Sequence, residues 1–229
     1  KNLKLKVINR IVDVLIAKGD LDNALNFIND EISKHNWNQN EIINLKIKLN
    51  QILFYQSKLD LVFENLSLII KEFSSQEHIY NDILSTLAVV LILKDEDVST
   101  YSNYIKAQLK INQNKRVESI GILNSILQDC TDTQDLCENN LTLDLIRYQI
   151  SNLLVQQNKP DDAIIFLEAI NGDGIYTELS IIFLAEIYDY IKNDEDMAIQ
   201  HYLFILQEYP QSIYYEIIRK RLRTILEKT

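Results

Sequence analysis

Leu184-Ala185-Glu186-Ile187-Tyr188, followed by Ala198-Ile199-Gln200-His201-Tyr202 and Ile205-Leu206-Gln207-Glu208-Tyr209-Pro210-Gln211-Ser212, is the stretch on which the fold of this chain turns. Its apolar residues recur at the three- and four-residue steps of a helix, and the proline ends the second run. One small residue in each run, Ala185 and Ala198, lets two antiparallel helices approach closely. Outward from there the pattern recurs. Asn158-Lys159-Pro160-Asp161-Asp162-Ala163-Ile164 with Leu167 and Ile170 repeats it, behind the helical run from Leu141 to Gln157. Lys18-Gly19-Asp20-Leu21-Asp22-Asn23-Ala24-Leu25 with Ile28 repeats it again, behind Ile8, Ile11, Val12 and Leu15. Two weaker copies carry Ser119 and Val62 in the alanine place, the first with Ala107 on the helix before it. Self-similarity of this kind predicts an array of helical hairpins.

These segments resemble tetratricopeptide repeats. Leu184, Ala185, Tyr188, Ala198, Tyr202, Ile205 and Pro210 fall on that family's pattern, with one extra residue in the turn from Ile191 to Glu195. The other copies lack the large aromatic that opens the first helix of a family repeat. A bulky side chain at Ala163 or Ala198 would hold its helix pair apart. The resemblance implies an all-α, right-handed α-solenoid of about five hairpins with a C-terminal capping helix, forming a single domain over residues 1–229.

Composition agrees, since 4 Gly and 2 Pro in 229 residues, 47% of them hydrophobic, leave too few turn-formers for a many-stranded barrel or sandwich. The periodicity predicts helices near 3–18, 21–35, 40–56, 59–73, 78–94, 98–112, 115–129, 139–157, 160–170, 175–191, 194–208 and 212–227. That makes five hairpins and two single helices. The helix over 78–94 is the odd one, because Ala107 and Ser119 pair its two successors. It holds the apolar run Leu87-Ala88-Val89-Val90-Leu91-Ile92-Leu93, far short of the about 20 residues that cross a bilayer. The run predicts a helix buried on nearly every side, a docking surface being the sharper alternative. The last helix, with Ile213, Ile217, Ile218, Leu222, Ile225 and Leu226 apolar and Arg219, Lys220, Arg221 and Arg223 polar, suits a cap with a wettable outer face.

Several chemistries find no support. With 33 Asp and Glu against 23 Lys and Arg, a net charge of −10 and no basic stripe, nucleic acid is excluded as the expected partner. Asp95-Glu96-Asp97 and Asp194-Glu195-Asp196 lack the spacing of a calcium loop and read as caps of the helices they precede. His35, His78 and His201 are scattered, so no metal or cofactor site and no catalytic residue is expected. Gly172-Asp173-Gly174 reads as a helix-to-helix turn, with no strand before it. Cys130 and Cys137 can close a disulfide in an oxidising compartment, but two unrelated thiols are the simpler reading.

The expected function is a non-enzymatic scaffold whose concave face holds part of another protein. In the family that face is lined by the first helix of each hairpin. The residues there that packing does not require are Asn9 and Asp13, Tyr148 and Asn152, and Glu186. Rival classes are a regulatory module binding a small ligand in an enclosed apolar pocket, and a hydrolase with carboxylates or histidines converging in a cleft. The block from Leu184 to Arg223 is similar to the last repeats of extracytoplasmic tetratricopeptide proteins of Bacteroidetes-type bacteria, and more distantly to repeat lipoproteins of outer-membrane assembly. That likeness implies a periplasm-facing member of a multiprotein envelope complex, associated with the outer membrane, a cytoplasmic setting being the alternative; the start at Lys1-Asn2-Leu3 leads to the expectation of the C-terminal part of a longer repeat protein, and no membrane span is expected in these residues.

Overall fold

One backbone feature recurs at a fixed place in every hairpin. Gly19, Ser57, Asn114, Asn158 and Asn193 are left-handed, with φ of 78°, 60°, 61°, 60° and 54°. Each stands five residues before the small side chain that marks its repeat: Ala24, Val62, Ser119, Ala163 and Ala198. Glycine takes this conformation freely and asparagine tolerates it, whereas serine gains less from its short side chain. Ser57→Gly is therefore expected to stabilise the chain by about 0.5–1 kcal/mol, read from a denaturant midpoint. Loss of stability would show that Ser57 is held by something other than its backbone.

The computed structural model describes residues 2–34, 37–72, 78–132 and 140–227. The chain forms two compact units, Lys1–Leu136 and Cys137–Thr229. Among the described residues there are twelve α-helices and no strand. The first unit holds α1 (Asn2–Lys18), α2 (Leu21–Lys34), α3 (Gln39–Tyr55), α4 (Leu59–Ile69), α5 (His78–Lys94), α6 (Val98–Asn112) and α7 (Arg116–Asp132). The second holds α8 (Asn140–Gln156), α9 (Pro160–Glu168), α10 (Ile175–Glu186), α11 (Glu195–Glu208) and α12 (Tyr215–Leu226).

In four hairpins the turn is the same double hydrogen bond. The left-handed residue's N–H meets the carbonyl three residues back, as in Gly19 to Ile16 at 2.8 Å, and the next N–H reaches five back, as in Asp20 to Leu15 at 2.9 Å. Lys58 to Leu53 at 3.0 Å, Lys115 to Lys110 at 2.8 Å and Lys159 to Leu154 at 2.9 Å repeat the longer bond. This geometry satisfies carbonyls that a helix end leaves open. In the fifth hairpin α10 runs on as a π-helix, Ile187–Lys192, and Asp194 N–H reaches six residues back to Tyr188 at 2.8 Å. The extra residue of the repeat thus lies in a wider helical turn, not in the 191–195 loop where the sequence pattern placed it.

The hairpins α1/α2, α3/α4, α6/α7, α8/α9 and α10/α11 are each packed along their length. The first helix of each hairpin carries a buried residue twelve places before the marker, thirteen in the last: Val12, Asn50, Ala107, Ser151 and Ala185. In one pair the Ser151 hydroxyl donates to the Ala163 carbonyl at 3.2 Å, so the backbones themselves come close. The acidic runs do cap helices. Asp97 accepts from the N–H of Ser99 at 2.7 Å and Thr100 at 3.2 Å, and Asp194 from that of Met197 at 3.1 Å. Gly174 opens α10 from the turn, as expected.

Three expectations need correction. Helix α5 is not buried all round, because Leu84 and Leu91, seven residues apart, stand exposed on one side while Ile83, Val90 and Leu93 are buried on the other. In α12 the buried face is Ile218, Leu222 and Ile225. Ile213, Ile217 and Leu226 are exposed, since the helix begins at Tyr215 and its register turns them outward. Cys130 is disulfide-bonded, which overturns the reading of two unrelated thiols; Cys137 lies outside the described residues.

Candidate functional site

In the first unit the chain itself packs on part of the first-helix face. Helix α6 packs on α1 and α3, the first helices of their hairpins, and Leu109 of α6 lies against the core formed by Ile8, Val12, Ile16 and Ile52. A polar chain runs across this contact. Lys48 Nζ donates to Asp13 at 2.7 Å and to Gln51 at 2.8 Å, and the Tyr55 hydroxyl is hydrogen-bonded to Gln51 and to Asn112 of α6. Burial first, and the Asp13 charge last, push the Tyr55 pKa up. Asp13 is therefore engaged within the fold, and the side-chain oxygen of Asn9 is buried without a hydrogen-bond partner. Of the five residues expected on the binding face, Asp13 is thus paired within the fold and Asn9 has its side-chain oxygen enclosed.

The other three come together in the second unit. Tyr148 on α8 meets Tyr176 and Phe183 on α10, with ring centroids 5.6 and 5.8 Å apart. Asn152 donates from Nδ2 to the Tyr148 carbonyl at 3.0 Å, and its side chain also hydrogen-bonds the Tyr148 hydroxyl. Glu186, three residues beyond Phe183 on α10, and Tyr214, just before α12, are both within electrostatic reach of that hydroxyl. Burial pushes the Tyr148 pKa up and that of Tyr176 to about 12, so both rings stay neutral. Glu186 is exposed as a side chain, yet the protein around its carboxyl, and then the Asp189 charge, hold it above the usual carboxylate range. It forms no ion pair among the described residues.

Beside this face lies a buried polar knot that the sequence did not mark. Asp189, in the π-helical turn, accepts from Arg221 Nε and Nη2, each at 2.6 Å, and from the Tyr202 hydroxyl at 3.0 Å. The guanidinium also covers the ring of Tyr190 at 4.8 Å. The hydrogen bonds to Asp189 hold Arg221 firmly protonated, and burial followed by Asp189 raises the Tyr202 pKa. Arg221 is thus turned inward, against its expected place on a wettable outer face. Two further ties join neighbouring elements to α9 and α10. Lys192 pairs with Asp161, and the Ser212 hydroxyl donates to Glu178.

His201 stacks on Tyr188 with centroids 5.5 Å apart and planes 10° from parallel. Burial lowers its pKa below the ordinary 6.5, Glu168 opposing, and Nε2 is buried without a partner. The folded imidazole resists a proton that the unfolded chain accepts near 6.5, so stability is full above that value and is lost as pH falls toward the folded pKa. Wild type should therefore lose melting temperature relative to His201→Phe between about pH 7 and pH 5. Parallel curves would contradict this, and Glu186, whose pKa is raised, works in the opposite direction at lower pH. His35 lies outside the described residues, as does the side chain of His78.

Among the described residues no three His, Cys, Asp or Glu side chains converge to hold a metal ion, and no helix is long and apolar enough to cross a membrane. One depression of 570 Å³, lined by Leu5, Asn38, Gln39, Asn40, Glu41 and Asn44, is open and mostly polar. No protein family and no curated protein matches the chain. Among solved structures it is similar to a crystal structure of Podosopora anserina putative kinesin light chain nearly identical TPR-like repeats, at 10% identity and a TM-score of 0.39, over 98% of this chain and 96% of that one. A single-substitution form of the same protein gives 10% identity and a TM-score of 0.39 over 98% and 95%. The repeat assignment stands on the recurring turns and facing small residues of this chain.

Proposed function

We propose that the chain is a non-enzymatic scaffold that holds a segment of a partner protein against the first-helix face of its second unit. The observation that carries this reading is the meeting of Tyr148, Asn152 and Glu186 with Phe183 and Tyr214 on a face supported by the Asp189–Arg221 knot. Aromatic groups on a rigid support bind an extended segment with little ordering cost to the scaffold. The test is co-purification with the tagged chain from separated soluble and membrane fractions. Tyr148→Ala, Asn152→Ala and Glu186→Ala together should abolish capture of a stoichiometric partner while helicity is kept. Unchanged capture would sink the reading.

The proposed setting is a periplasm-facing multiprotein complex of the bacterial envelope, as the likeness of the Leu184–Arg223 block to extracytoplasmic repeat proteins implies. The disulfide-bonded state of Cys130 favours an oxidising compartment, where such bonds persist. Alkylation of Cys130 in unreduced cells would count against export, and protection that is lost on reduction would support it.

A further inference from the structure

The partner segment can be specified further, on the strength of the scaffold reading. We infer that the face formed by Tyr148, Phe183 and Tyr214 around Glu186 takes a lysine or arginine side chain from a basic, extended partner segment. The local charges lead to this. Asp189 is matched by the bidentate Arg221 guanidinium, so of the two neighbouring carboxylates only Glu186 remains uncompensated. A lone carboxylate one helical turn beyond Phe183 and within electrostatic reach of Tyr148 has one natural complement, a cation that lays its stem and charge on the rings and meets the carboxylate with its tip. Arginine and lysine satisfy both requirements. An acidic segment would bring like charge to Glu186, and a purely apolar one would cover the carboxylate without pairing it.

The wider field has the same sign. The second unit carries 15 Asp and Glu against eight Lys and Arg, so a basic segment is drawn toward it before contact. The strain on Glu186 adds to the argument, because burial and Asp189 both disfavour its charge in the free protein. An incoming cation relieves that strain, and Glu186→Gln removes it without harming the fold.

The ring resonances of Tyr148, Phe183 and Tyr214 in the whole chain are followed by NMR against three probes: an acetylated tri-arginine peptide, its citrulline counterpart and a tri-glutamate peptide. The arginine peptide is expected to shift these rings and the citrulline peptide, matched in shape but uncharged, to leave them. Glu186→Gln should weaken arginine-peptide binding roughly tenfold. Glu195→Gln, the same change of charge at an exposed position in the first turn of α11, should not. Equal binding by the citrulline peptide, or by Glu186→Gln, overturns the inference. If the citrulline or glutamate peptide binds instead and Tyr148→Ala removes it, the face is still a partner site and only its cationic preference falls. If no probe shifts the rings the inference fails, and the capture experiment decides the scaffold reading by itself.

Discussion

Asp189→Ala is expected to destabilise the second unit by about 3 kcal/mol, seen as a lower urea midpoint with an unchanged slope. The Asp189 side chain is 3% exposed and that of Arg221 28%. Removing the carboxylate leaves a guanidinium with two donors unmatched and the Tyr202 hydroxyl without its acceptor. Breaking one side of a buried pair in this way costs far more than the pair contributes net, because the surviving charge has lost its compensation. Partial access of water to Arg221 keeps the loss at the lower end of the usual about 3–5 kcal/mol. Replacing both partners by apolar residues of similar volume, Asp189→Leu with Arg221→Met, should recover most of the loss. Tyr202→Phe, which removes a single donor, should cost about 1.5 kcal/mol. A loss under about 1 kcal/mol for Asp189→Ala would mean that α12 is held by Ile218, Leu222 and Ile225 alone.

Most of the fold was legible because its determinants are local. Apolar spacing located all twelve helices to within a few residues, and the small residues identified the five hairpins and the two single helices. The left-handed residues could also have been read from sequence, since Gly19, Asn114, Asn158 and Asn193 are the residue types that adopt positive φ and all stand five places before the marker. Ser57 breaks that pattern, which hides it. What local pattern could not supply was the path of the chain between hairpins. The return of α6 onto α1 and α3 follows from the unpaired α5, and no periodicity within α6 announces it. Tyr148 and Asn152 on α8 lie near Glu186 on α10 because α8 and α10 are first helices of successive hairpins and pack together. Arg221 reaches Asp189 across 32 residues of sequence, a pairing that no local spacing announces. Arg219, Lys220, Arg221 and Arg223 cannot share one face at about 100° per residue, and Arg221 stands on the side of Ile218, Leu222 and Ile225.

The marker positions offer a second large effect, in which valine should be the stabler residue in one hairpin and alanine in another. Ala185 and Ala198 are each 0% exposed, and Ala163 faces Ser151 closely enough for the hydroxyl to reach its carbonyl at 3.2 Å. Adding three carbons there, as in Ala163→Leu or Ala198→Leu, forces the helices apart and is expected to cost about 3 kcal/mol. Ala169→Leu, at an exposed position just past α9, should change stability by less than about 0.5 kcal/mol. In the α3/α4 hairpin the marker is Val62, also at 0% exposure. Each hairpin has set its spacing to its own pair, so Val62→Ala opens a cavity and should destabilise by about 1–2 kcal/mol. Ala163→Val should destabilise by a similar amount through crowding. If instead one spacing were imposed on all hairpins by the repeat, Val62→Ala would relieve compression and stabilise the first unit. The direction of that single substitution therefore distinguishes a hairpin that adapts to its residues from one that is held to a common template.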